Sequence, residues 1–387
     1  MRLIDSLRRH RIANLSALFW LFCSGWLVAD SRPFEMTPET EHILRNGLNK
    51  MYNYDLKEAD NLFDDLIRRF PDHTIGYMHK AELIWWKALM DTKNEGLKET
   101  FRRFTEQSLF KGQETLARNP DDFYSLLYIS GAYGNQTRFN VYISRNYFGA
   151  ISTGLKGYKF IKSAQALRPD YVDCLIGLGT YNYFAGAIPV VIKPFAWMFS
   201  APGNKTEGIK QLEQVAAKGE FGQIEAKTVL LGVYLNEKRW IDYRKLSKEL
   251  IEQFPSNPVF YAWLAASFIT QKRWNEGIQQ FSELIGHDNL KGWRVGLGYA
   301  SYQKGRLELE KGDMESAIKS FSRILEEHLN DENLLARTFL LRAYTYDLLG
   351  KRDSALADYH ATLGLPNVED THRKARQFLS QPYSGPR

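Results

Sequence analysis

The sequence is nearly without cysteine. Of two in 387 residues, Cys23 lies in the N-terminal stretch and Cys174 in an apolar helical pattern, "YVDCLIGLG". No disulfide framework can form within the body of the chain, and no cysteine-based zinc site can be built. Cys174 is expected to be an inert core thiol. The eight histidines are scattered, and none shows the paired spacing of a helical zinc site. His79 and Glu82 share a helix face and are expected as a solvated pair. There is no phosphate-binding loop and no nucleophile elbow, and the short glycine runs "GLG" (177–179) and "GWRVGLG" (292–298) sit within helical pattern. No catalytic residue, cofactor site or metal site is assigned.

Charge of one sign is also in short supply. The formal charge is +6, and Arg2, Arg8, Arg9 and Arg11 against Asp5 supply half of it before residue 30. The rest is interleaved along helix faces, so the basic balance does not point to nucleic acid. Strand alternation bounded by hairpin turns is absent, which leaves an all-helical chain.

One long apolar run exists, "IANLSALFWLFCSGWLVA" (12–29), behind the basic segment "MRLIDSLRRHR". Residues 1–30 are expected to be a signal peptide or an N-terminal membrane anchor. Either reading makes the protein exported or membrane-anchored, in a bacterial periplasm or envelope. A second apolar stretch, "GAIPVVIKPFAWMFSAPGNK" (186–205), is broken by three prolines and is too short to span a membrane. Pro194 is expected to open a short helix, and Asn204 to cap the next one with Glu207 three positions on.

What is plentiful is a spacing. Gly305 is followed by Ala317 and Phe321, and Ala343 by Ala355 and Tyr359. The same steps of twelve and sixteen residues join Gly47 to Ala59 and Phe63, and Ala265 to Gly277 and Phe281. Small residues at these positions let two helices cross closely while the aromatic ring fills the space beside them. This is the signature of the tetratricopeptide repeat. Carried along the chain, the small position of the second helix falls at Ala59, Ser108, Gly157, Gly208, Tyr243, Gly277, Ala317 and Ala355. The intervals are about fifty residues in the N-terminal half and 34 to 40 in the C-terminal half. The expected fold is an all-α, right-handed superhelical solenoid of about eight tetratricopeptide-like hairpins over 36–380. Insertions extend its N-terminal units, and a flexible tail follows from 381. Of the insertions, "DTKNEGLKETFRRF" is expected to lengthen helices and "GNQTRFNVYISRNYFGA" to form an ordered loop.

The stretch "APGNKTEGIKQLEQVA" resembles a segment that marks the tetratricopeptide-39 and inclusion-body-clearance (Iml2-type) family. There an apolar Leu/Pro run leads into a helix start matched here by Gly203, Asn204, Lys205, Gly208, Ile209 and Leu212. The resemblance covers roughly residues 150–235. It implies a non-enzymatic helical-repeat protein, in a family with loose ties to lipid handling, and supplies no catalytic residues. The export-type leader departs from that family.

Such arrays bind partners in the concave groove lined by the first helices. The repeat phase nominates Glu82, Trp85, Thr180, Tyr183, Arg306, Tyr344 and Asp347, with Tyr124 and Tyr299 on the same face. For the aromatic members the competing reading is packing between repeats. The Lys/Asn set that grips a peptide carboxylate is not evident at these positions. The insert reads first as core, second as a wall for an apolar ligand or partner helix with Phe195, Trp197 and Phe199 exposed, and third as a shallow membrane contact. The functional expectation is a non-catalytic scaffold for protein partners of unknown identity at the cell envelope. The alternative is an apolar-ligand or lipid-handling protein.

Overall fold

The computed structural model describes residues 34–187, 203–286, 294–327 and 329–385. The chain divides into two compact units, Met1–Glu35 and Met36–Arg387, and every described helix belongs to the second. The expected short helix from Pro194, and Phe195, Trp197 and Phe199, lie outside the described residues, as does nearly all of the N-terminal stretch.

Among the described residues there are seventeen helices and no strand, and sixteen of the helices pair into eight hairpins. The first four hairpins are α1 (Pro38–Tyr52) with α2 (Leu56–Arg69), α3 (Thr74–Met90) with α4 (Glu95–Arg118), α5 (Phe123–Tyr142) with α6 (Tyr147–Leu167), and α7 (Cys174–Gly186) with α8 (Lys205–Lys218). The next four are α9 (Gln223–Asn236) with α10 (Trp240–Gln253), α11 (Pro258–Thr270) with α12 (Trp274–Gly286), α13 (Arg294–Lys311) with α14 (Met314–Glu326), and α15 (Glu332–Leu348) with α16 (Arg352–Leu363). A last helix, α17 (Thr371–Ser380), packs on α15 and α16. Helices also pack on the next first helix along the chain, as α3 on α5, α5 on α7 and α13 on α15. The chain is therefore an all-α helical solenoid.

The spacing read from the sequence is the spacing of the packing. All eight small-position residues lie on second helices, and seven are buried small side chains while Tyr243 is a buried ring. Phe63, Phe281, Phe321 and Tyr359 are fully buried beside them. Gly47 shows why the first helix needs a small residue: a Cβ there would sit 2.5 Å from Phe63 Cε1. Gly305 stands in the same relation to Phe321, at 2.6 Å.

Most hairpin turns share a device that composition does not advertise. One residue between the two helices takes a left-handed conformation: Tyr54, Arg145, Lys238, Lys272, Gly312 and Gly350, with φ from 54° to 90°. Only two of the six are glycine, so four hairpins close on a side chain that disfavours the conformation.

Helix starts follow side-chain caps. The Asn204 side chain accepts from the Glu207 amide at 3.1 Å, as expected. Asp122 caps α5 through the Ser125 amide at 2.8 Å, and Asn257 caps α11 with Pro258 at its first position.

Two expectations need correction. "GNQTRFNVYISRNYFGA" is not a loop, because α5 runs to Tyr142 and α6 begins at Tyr147. The cause is length matching: α4, α5 and α6 have 24, 20 and 21 residues, against 14 and 13 for α10 and α12. The extensions bury one another, with the Phe139 ring stacked on Phe101 at 4.0 Å. The polar insertion before them lengthens α4, as expected. The end of the chain is also tied down as far as Tyr383, whose amide donates to Asp347 at 2.8 Å and whose ring stacks on Tyr344 at 4.1 Å.

Candidate functional site

The inner face of α3 carries His79, Glu82, Trp85 and Trp86, all buried. Tyr52 donates to Glu82 at 3.3 Å, and His79 Nδ1 lies 3.1 Å from the other Glu82 oxygen. The pair expected in solvent is thus an interior pair, with the imidazole stacked on Phe63. The Arg138 guanidinium lies 4.2 Å over Trp85 and pairs with Glu225 of α9 at 2.7 Å. Burial pushes the Glu225 carboxyl above its ordinary range, and Arg138 opposes that shift. A buried charge without such a partner would be costly.

These residues are covered because the array meets itself. Trp86 packs on Phe260 and Trp263 of α11, with ring centroids 5.7 and 6.1 Å apart. The Asn257 side-chain amide donates to the Tyr52 carbonyl at 2.8 Å. Arg45 donates to the Glu220 carbonyl at 2.9 Å and lies over the Phe221 ring. Farther along, the Thr92 amide donates to Glu369 at 2.7 Å, the Glu369 amide donates to Asp91 at 3.0 Å, and Lys93 pairs with Asp370 at 2.7 Å. Arg337 donates to the Met90 carbonyl. The first two hairpins therefore lie against the fifth, sixth and eighth and the segment beyond the eighth.

The nominated groove residues are distributed accordingly. Glu82, Trp85, Tyr124, Tyr183, Tyr299 and Asp347 are buried, and Thr180, Arg306 and Tyr344 are half-buried. Tyr183 donates to Glu237 at 2.7 Å, and Tyr299 donates at 2.7 Å to Asp331, the cap of α15. Asp347 is enclosed: it accepts from Arg352, from the Tyr359 hydroxyl at 2.8 Å and from the Tyr383 amide. Of the polar members nominated for the groove, Glu82 and Asp347 are instead buried and paired internally. The aromatic members take the packing role that competed with the groove.

A cleft of about 970 Å³ is built from four separate segments. The α1–α2 turn supplies Asn53, Tyr54 and Asp55, the approach to α11 supplies Ser256, the approach to α15 and its first turn supply residues 329–333 and Leu335, and the segment after α16 supplies Leu365 and Pro366. Leucine and proline form part of the wall, and Asn330, Asn333, Asp331 and Glu332 give it acceptors and negative charge. Tyr54 enters it from a backbone φ of 65°, and burial raises its hydroxyl pKa. The Asn53 side-chain oxygen is buried and has no hydrogen-bond partner among the described residues. No sequence signal marked these positions, because they meet only through the closure of the array.

Burial pushes the Cys174 thiol up to about 12, so it is protonated at neutral pH, and the side chain is fully buried. Among the described residues no three His, Cys, Asp or Glu side chains are grouped to hold a metal ion. No described helix is long and apolar enough to cross a membrane.

No family model matches the chain, and no curated protein matches it in sequence. Solved structures similar to it include a tetratricopeptide repeat protein from Parabacteroides merdae, at 10% identity and a TM-score of 0.32, covering 76% of this chain and 95% of that one. Yeast Tom70 is similar at 11% identity and a TM-score of 0.38, covering 86% of each chain. The human IFIT1 dimer with m7Gppp-AAAA is similar at 11% identity and a TM-score of 0.36, covering 84% of this chain and 70% of that one. The assignment of tetratricopeptide-type hairpins stands on the spacing and packing described above.

Proposed function

We propose that the protein is a non-catalytic scaffold that holds an extended segment of a protein partner in the cleft beside Tyr54 and Asp331. The observation that carries this reading is the division of the surface. Six of the nine residues nominated for the inner rows that such arrays use for binding are buried, and a roomy, partly polar concavity lies elsewhere. Its wall of leucine and proline suits apolar side chains, and its carboxylates suit a lysine or arginine beside them. Location at the cell envelope is part of the proposal, supported by the basic and apolar N-terminal sequence. Kinship with the tetratricopeptide-39 and Iml2-type family is likewise proposed, supported by the residues from Gly203 to Leu212.

The test is selection from a display library of random decapeptides against the full-length protein. Binders should combine apolar residues with a basic one and be lost in Glu332→Arg and Asn333→Arg, with helicity and melting unchanged. A selection without binders, or binders indifferent to both variants, would overturn the reading.

A further inference from the structure

Large apolar side chains that stay exposed are few among the described residues, and most of them lie along one edge. Eight are exposed, and Tyr142, Tyr147, Phe148, Phe184, Leu235 and Ile241 all stand where a first helix ends or a second begins. They belong to three consecutive hairpins, α5–α6, α7–α8 and α9–α10. Direct contacts join these turns. The Tyr142 hydroxyl lies 3.3 Å from where a Cβ on Gly232 of α9 would be, and Glu237 takes both Tyr183 of α7 and Lys205 of α8, each at 2.7 Å. Phe148 is 83% exposed and Ile241 79%, so they protrude rather than line a groove.

The unpaired charges along this edge are positive on balance, Arg145 and Lys238 against Glu207 in the first turn of α8. Glu237 is paired with Lys205, and Asp242 with Arg239. Arg145 and Lys238, at the apexes of two of the turns, are exposed and form no ion pair among the described residues.

We propose that this edge docks on the surface of an anionic lipid bilayer. Protruding phenylalanine, tyrosine and isoleucine enter the boundary between headgroups and acyl chains, and the two unpaired cations meet lipid phosphate. A protein partner would be served by a recess that encloses an anchor residue, which a row of projecting tips does not provide. A second copy meeting this edge symmetrically would bring Arg145 and Lys238 close to their own counterparts. The docking is peripheral, in keeping with the absence of a spanning helix among the described residues.

Hydrogen exchange on the full-length protein tests this without interference from the N-terminal apolar run, because protection is read segment by segment. With vesicles of phosphatidylcholine and phosphatidylglycerol, amides of 142–150 and 235–243 should slow, while those around the exposed Phe110 of α4 should not. Pure phosphatidylcholine should give no such protection. Arg145→Gln and Lys238→Gln should each raise the lipid needed for half-protection by about fivefold. Phe148→Ser with Ile241→Ser should abolish the protection, and melting should be unchanged because both side chains are exposed. Edge amides unaffected by anionic vesicles would overturn the proposal, as would protection that survives the serine pair. Protection that appears without lipid as protein concentration rises would assign the edge to a second copy and equally overturn it.

Discussion

The Asn257 side chain holds two parts of the chain at once: its Nδ2 donates to the Tyr52 carbonyl at 2.8 Å, across 205 residues, and its Oδ1 accepts from the Val259 amide at 3.0 Å. One fully buried residue both starts α11 and fixes α1 to it. Asn257→Ala should remove a helix cap and leave a buried carbonyl unpaired, a combined loss of about 2–4 kcal/mol. Asn257→Ser keeps a capping oxygen and should lose roughly half as much. Urea denaturation of the two variants beside the parent measures both, and a serine variant as stable as the parent would argue against the link to Tyr52.

The α7–α8 crossing depends on Gly208. A Cβ there would lie 2.4 Å from the Tyr183 amide nitrogen and 2.6 Å from the Gly179 carbonyl oxygen. Both obstacles are backbone, so Gly208→Ala should force the helices apart and destabilise by about 1–3 kcal/mol. Gly134, inside α5, has nothing within 4 Å of a Cβ. Gly134→Ala should therefore stabilise, by up to about 1 kcal/mol. Opposite shifts in melting temperature are the expected result.

Lys272 closes the α11–α12 turn at a φ of 54°. Lys272→Gly removes the steric penalty of that conformation at the expense of a more flexible unfolded chain. The two oppose each other, and the expected outcome is a net gain of about 0.5–1 kcal/mol by thermal or urea unfolding. A loss would show that the lysine side chain contributes to the turn in some other way.

His73 gives the protein an acid sensitivity. Burial holds its imidazole down to about 3, against about 6.5 for a free side chain. Between those values the unfolded chain binds a proton that the folded one refuses. This contribution is complete above pH 6.5 and falls as the pH drops, by up to about 1.4 kcal/mol per unit. His73→Asn retains an acceptor for the Ile75 amide, which His73 Nδ1 takes at 3.3 Å. Stability curves for parent and variant should run parallel above pH 7 and diverge below pH 6, the parent falling faster.

Legibility in the sequence followed the range of the interaction. Gly47, Ala59 and Phe63 meet within one hairpin, so their spacing survives as a pattern and the hairpins could be read from it. The Asn204 cap was local too. The helical course of 134–150 was missed because its cause, a lengthened α4, lies elsewhere in the chain. Glu82 and Asp347 were assigned to the open groove because the phase of a repeat names a face and not what covers it. The cleft left no trace, since Tyr54 and Asp331 share no period. The left-handed turns were hidden for a simpler reason: Tyr54, Arg145, Lys238 and Lys272 are not the residues that such a backbone favours.

Contacts such as Asn257 with Tyr52 and Glu369 with Thr92 also change how the molecule folds. An open row of hairpins grows by adding neighbours and frays from either end. Here the first two hairpins lose partners if the sixth or the eighth comes away, so fraying at one end is felt at the other. Bringing together segments separated by 205 and 277 residues carries a loop-closure penalty that local pairing does not. Hairpins should consequently form early and the closure last, as a slow phase at which the α3 tryptophans leave water.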